Sequence, residues 1–149
     1  MKRNNQDLYG TNFDILKRSF PDLIVSIEDG FFGEEPSRGA IVRKTIKFVD
    51  CTYMTVFELV DTKTGKKKKY QYDWEYQRGN LWKWHNEPHE QKRHQTATEP
   101  DHMHHKPVGV TNERRLPNYG HHNLYTIMET ILMHVEISKQ KQTDNPRPR

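Results

Sequence analysis

Six of the nine histidines in this 149-residue chain lie between His85 and His105. Five of them sit in the runs Lys83-Trp84-His85-Asn86-Glu87-Pro88-His89 and Pro100-Asp101-His102-Met103-His104-His105, and His94 lies between the two. Imidazole alone among side chains has an ordinary pKa near neutrality, so a cluster of this kind can shuttle protons or hold a metal ion. Its composition reads as neither a core strand nor a helix. A long loop is therefore expected to carry it, and any active site is expected there.

Three chemistries compete for these rings. In the first, His89 with His102 or His104 acts as general base and general acid on an RNA phosphodiester. One imidazole takes the proton of the 2′-hydroxyl while another protonates the leaving 5′-oxygen. Lys83, Arg78 or the run Lys66, Lys67, Lys68 and Lys69 would stabilise charge on the phosphorane. Tyr72 and Asn86 are assigned to positioning the substrate. In the second, His85, His89, His102 and His104 coordinate zinc or a related ion, with Asp101 or Glu87 completing the shell. No helical His-Glu-x-x-His pattern supports it. In the third the rings do no chemistry, which is the reading given to His94, His105, His121, His122 and His134. Acid–base work is placed ahead of metal binding and both ahead of no chemistry, so no metal or cofactor is expected.

The bulk composition sets the frame. Hydrophobic residues make up 32% of the chain and charged ones 30%, with a net charge of +4. Mean hydropathy is −1.08 and the isoelectric point near 9.1. Such a balance favours acidic partners, of which nucleic acid is the commonest. The single cysteine, Cys51, allows neither an intramolecular disulfide nor a cysteine-based zinc site. No secretory signal and no membrane span are expected, which points to the cytoplasm. No Gly-rich phosphate loop, Gly-x-Ser-x-Gly or helix-turn-helix pattern occurs.

The elements that must position the cluster follow from periodicity. Phe13, Leu16 and Phe20 recur at helical spacing and stop at Pro21. Leu23, Val25 and Ile27 alternate as a first strand, followed by strands over about 40–49 and 53–60. Thr62 to Gly65 makes a turn, and the lysines that follow protect a sheet edge or touch phosphate. Tyr70, Tyr72, Trp74 and Tyr76 alternate, and Trp82 and Trp84 return after the turn near Gly79. A three-residue loop pairs Tyr76 with Trp82 and Trp74 with Trp84, gathering the aromatics on one face as core. Asp73, Glu75, Lys83 and His85 then share the opposite face. Leu124, Ile127, Met128, Ile131, Leu132 and Val135 form an amphipathic helical stripe to cover the aromatics, with Asn118 or His121 near its start.

The expected fold is α+β: an antiparallel five-stranded meander, a short N-terminal helix, and a long C-terminal amphipathic helix packed on one face. Residues 1–137 form one domain and 138–149 a flexible polar tail.

Taken in order, Tyr70-Gln71-Tyr72-Asp73-Trp74, then Leu81 to His89, then Pro100 to His104, then a C-terminal helix, the chain resembles the TumE-like toxin family. The pattern there is an aromatic strand, a basic residue followed by Asp-Asn-x-Pro-His, and a Pro-His-His-x-His stretch. Lys83, Asn86, Pro88, His89, Pro100, His102 and His104 fall on it. His85 stands where the acid belongs and Asp101 where the first histidine belongs. The resemblance implies a prokaryotic toxin acting on RNA or translation and held inactive by a cognate antitoxin protein. With the histidine reading, this gives a metal-independent endoribonuclease as the expectation. Its rivals are a non-enzymatic nucleic-acid or partner-binding module and a metal-dependent phosphoesterase.

Overall fold

A computed structural model describes residues 8–77, 80–88, 91–107 and 113–144. Seven strands follow one another and pair in chain order as a single antiparallel meander. They are β1 (Ile24–Asp29), β2 (Ile41–Phe48), β3 (Tyr53–Val60), β4 (Lys67–Gln77), β5 (Asn80–His85), β6 (His102–Lys106) and β7 (Arg114–Pro117). Two helices complete the fold, α1 (Phe13–Ser19) and α2 (Leu124–Asp144). The α+β class and both helices agree with the sequence reading. The strand count does not: the expected His-rich loop contains β6, and β7 follows it at the sheet edge.

The core lies on one face of the sheet. Ile46, Met54, Val56, Tyr70, Tyr72, Trp74 and Trp84 are buried there with Leu124, Ile127, Met128, Ile131 and Val135 of α2 and Leu16 of α1. Removing each large side chain from water is worth roughly 1.5–3 kcal/mol before entropy, so the stripe on α2 secures the fold. Asn12 caps α1, its side-chain oxygen accepting from the Ile15 amide at 3.1 Å. Asn123 does the same for α2, accepting from the Thr126 amide at 3.0 Å. Asn118, expected near that start, instead holds the preceding turn, accepting from the His121 amide and donating to the His121 carbonyl, each at 2.8 Å. The helix continues past Ser138, where a loose tail was expected, because Lys139, Gln140 and Lys141 are good helix formers.

Two registers differ from expectation for a shared reason. Trp74 pairs with Trp82 and Tyr72 with Trp84, because the closing pair is Gln77 with Asn80, one residue off the expected register, and a β-bulge between Glu75 and Gln77 adds a second. The shift is by two residues, so every side chain keeps its face. In β1 a bulge between Ile24 and Ser26 interrupts the alternation. Leu23 and Ile24 are therefore both buried while Val25 is 57% exposed.

Candidate functional site

The face of the sheet opposite α2 carries the polar chemistry, and strand pairing alone decides which residues meet there. Across β4, β5 and β6, Asp73 pairs with Lys83 and Gln71 with His85. Lys83 in turn pairs with His104, and His85 with His102. Directly paired residues project from the same face, so Lys83, His85, His102 and His104 form one block. Met103 and His105 project the other way, alongside Trp84 and Trp82.

The three rings converge as a triangle. Centroids of His85 and His102 are 4.1 Å apart, those of His85 and His104 4.8 Å, and those of His102 and His104 4.9 Å. One nitrogen from each lies within 4.8 Å of the others. His102 is wholly buried, and its Nδ1 donates to the Pro100 carbonyl at 2.8 Å with Glu99 at 3.6 Å. On His104, Nδ1 lies 3.2 Å from the Glu113 carboxylate. Acceptors beside both Nδ1 atoms favour the Nδ1–H tautomer and give Nε2 the acceptor role.

Electrostatics separate the groups. Burial, then the neighbouring His102, pushes the His104 ring down to about 4, with Glu113 opposing. At neutral pH His104 is therefore uncharged, with one ring nitrogen free of a proton. Burial raises Asp73, against the pull of the Lys83 ammonium. Beside Gln71 and Asp73 a cleft of about 330 Å³ opens, lined also by Phe31, Glu35, Arg43, Thr55 and Phe57. A larger depression of about 840 Å³ lies between Val49, Asp50, Val135 and Glu136, remote from the imidazoles. Volume alone is a poor guide here, and the convergent titratable groups mark the site.

Other sequence assignments land elsewhere. Tyr72 is fully buried on the α2 face, where its hydroxyl donates to Glu58 at 2.5 Å. Lys67 lies on that side too, donating to the Tyr72 hydroxyl at 3.1 Å and the His122 carbonyl at 2.7 Å. Asn86 ties β4 to the end of β5: it accepts from the Tyr70 amide at 3.0 Å and donates to the Lys68 carbonyl at 3.1 Å. Lys68 pairs with Asp61 at 3.6 Å, while Lys66 and Lys69 are exposed. By alternation along β4, Lys69 falls on the face of Gln71 and Asp73. Asp101 is buried and accepts from the Tyr70 hydroxyl at 2.8 Å, tying the loop before β6 to the core face. His89 and Arg78 lie outside the described residues.

Sequence reasoning joined His85 to His102 and His104 only in the metal-binding alternative and left it out of the acid–base assignment. The available signal was its place on the Asp73–Lys83 face of the hairpin; the missing piece was that His102 and His104 belong to a strand.

Among the described residues no helix is long and apolar enough to cross a membrane. Compared with known protein families, residues 12–139 match the family described as Toxin TumE. No curated protein and no solved structure gives a significant match.

Proposed function

This chain belongs to the TumE toxin family, and we propose that it acts in the cytoplasm as an endoribonuclease whose imidazoles carry the proton transfers. A toxin role and a cognate antitoxin partner follow from the family. RNA as substrate is our own reading, supported above all by the convergence of His102, His104 and Lys83 on one face of the sheet.

The reaction this arrangement suits is transesterification. His104, held neutral, accepts the proton of a 2′-hydroxyl; that oxygen then attacks the adjacent phosphorus. The bond from phosphorus to the 5′-oxygen breaks, and the departing oxygen takes a proton from an imidazolium. His102 fits this second role, because the Pro100 carbonyl and the Glu99 carboxylate beside its Nδ1 stabilise a ring carrying both protons. Lys83, paired with His104, would neutralise charge gathering on the phosphorane. The products are a 2′,3′-cyclic phosphate and a 5′-hydroxyl end, with no metal needed. His89 keeps the proton-transfer role expected of it from the sequence, as an alternative partner to His102 or His104 in the same reaction.

Lys83→Met is expected to lower cleavage about 10²–10³-fold, the scale of losing one donor to a transition-state oxyanion. Neutralising Lys66, Lys68 and Lys69 together should mainly weaken RNA affinity in a salt-dependent way. Gel assays of a labelled RNA check both. The reverse ranking, with Lys83 neutral and the lysine run decisive, would favour a binding module without turnover.

A further inference from the structure

We propose that His85, His102 and His104 together form a binding site for one zinc-class divalent ion. The site stands on the geometry of the three rings and does not depend on the RNA-cutting reading.

Three imidazoles from two adjacent strands supply a full set of protein ligands for zinc, with one coordination position left over. Neutral imidazole is a good ligand for an ion of this borderline softness. The nitrogens lie within 4.8 Å of one another. Tetrahedral zinc with Zn–N near 2.0–2.1 Å wants them roughly 3.3 Å apart. Ring rotations about the side-chain bonds can close that gap without moving the strands.

Outer contacts match what metal-binding histidines use. The Pro100 carbonyl accepts from His102 Nδ1, and the Glu113 carboxylate stands 3.2 Å from His104 Nδ1. Such partners fix the tautomer, orient the ring and assign coordination to Nε2. Strand pairing holds the bases of all three side chains, which is a firmer mount than a loop provides. Charge also balances: Glu99 and Glu113 offset Lys83 and Arg115, so a dication does not enter a purely positive field. An ion in place would engage nitrogens that proton transfer needs. The loaded and the RNA-cutting states are thus alternatives of one site.

The test titrates chelator-stripped full-length protein with zinc chloride against a chromophoric chelator, and records the visible spectrum with cobalt(II) as a substitute. Expected is one zinc per chain and a tetrahedral cobalt spectrum. His85→Gln and His104→Gln should each weaken zinc by at least about 100-fold, since losing a ligand costs more than the 10–100-fold of losing an outer partner. His121→Gln and His134→Gln, outside the cluster, should bind as the parent does. Circular dichroism confirms that each variant is folded. Absence of zinc binding by the folded parent would overturn the site, as would affinity unmoved by both cluster variants. Zinc binding without RNA cleavage upholds the site and removes the nuclease reading; cleavage without zinc binding does the opposite.

Discussion

His104→Ala is expected to reduce RNA cleavage by about 10²–10⁴-fold, the usual contribution of a positioned general base, while leaving the melting temperature nearly unchanged. The side chain lies on the polar face of β6, between Lys83 across one strand pair and Arg115 across the other. It takes no part in the apolar cluster under α2. Its loss therefore removes a base without opening a core cavity. Because the ring stays neutral down to a pH of about 4, the parent has its base ready at neutral pH. Steady-state cleavage rates and a thermal melt on the same preparation check the claim. A variant that melts early instead would mean that the ring holds the sheet together.

Trp84→Ala should do the converse, destabilising the chain by about 3–5 kcal/mol, the cost of emptying a buried aromatic site. For chains of this size each kcal/mol moves the melting point about 2–4 °C, so a fall on the order of 10 °C is expected. Trp84 is 3% exposed and pairs with Tyr72 on one side and Met103 on the other. Its ring stacks with Trp82 at 6.2 Å between centroids. Lys83 and His85 flank it in the chain and face the opposite way. Losing the anchor loosens their strand, so activity should drop although Trp84 touches no reacting atom. Trp84→Phe, which refills most of the volume, should recover most of both. Equal melting temperatures for parent and alanine variant would show that β5 is not anchored through this residue.

Much of the frame was legible because its signals are hydrophobic. The stripe from Leu124 to Val135 is buried on the sheet as its spacing requires, and β3 spans the residues expected of it. The alternation of Tyr70, Tyr72 and Trp74 marked the core face, and even a two-residue register shift left that face intact. What stayed hidden was polar. His102–Lys106 alternates like a strand, but with imidazoles and a single methionine in place of β-branched residues, and β7 is four residues long with two arginines. Charged, short edge strands guard a sheet against pairing with other chains, and that protection erases the pattern by which strands are recognised. Reading β6 as loop kept His102 and His104 from being registered against His85 and Lys83. Tyr72 shows the opposite error. Its phenol looked available for substrate, yet the buried carboxylate that receives it, Glu58, comes from a neighbouring strand fourteen residues earlier in the chain and carries no local signature.

Cleavage of a short RNA by the purified chain in excess EDTA, with the new ends identified by mass spectrometry, tests the histidine mechanism most directly. Fragments ending in a 2′,3′-cyclic phosphate and a 5′-hydroxyl, formed by the parent and lost in His104→Ala, are the predicted result. Intact RNA from a folded chain that still arrests growth would contradict it, and so would fragments bearing 5′-phosphates.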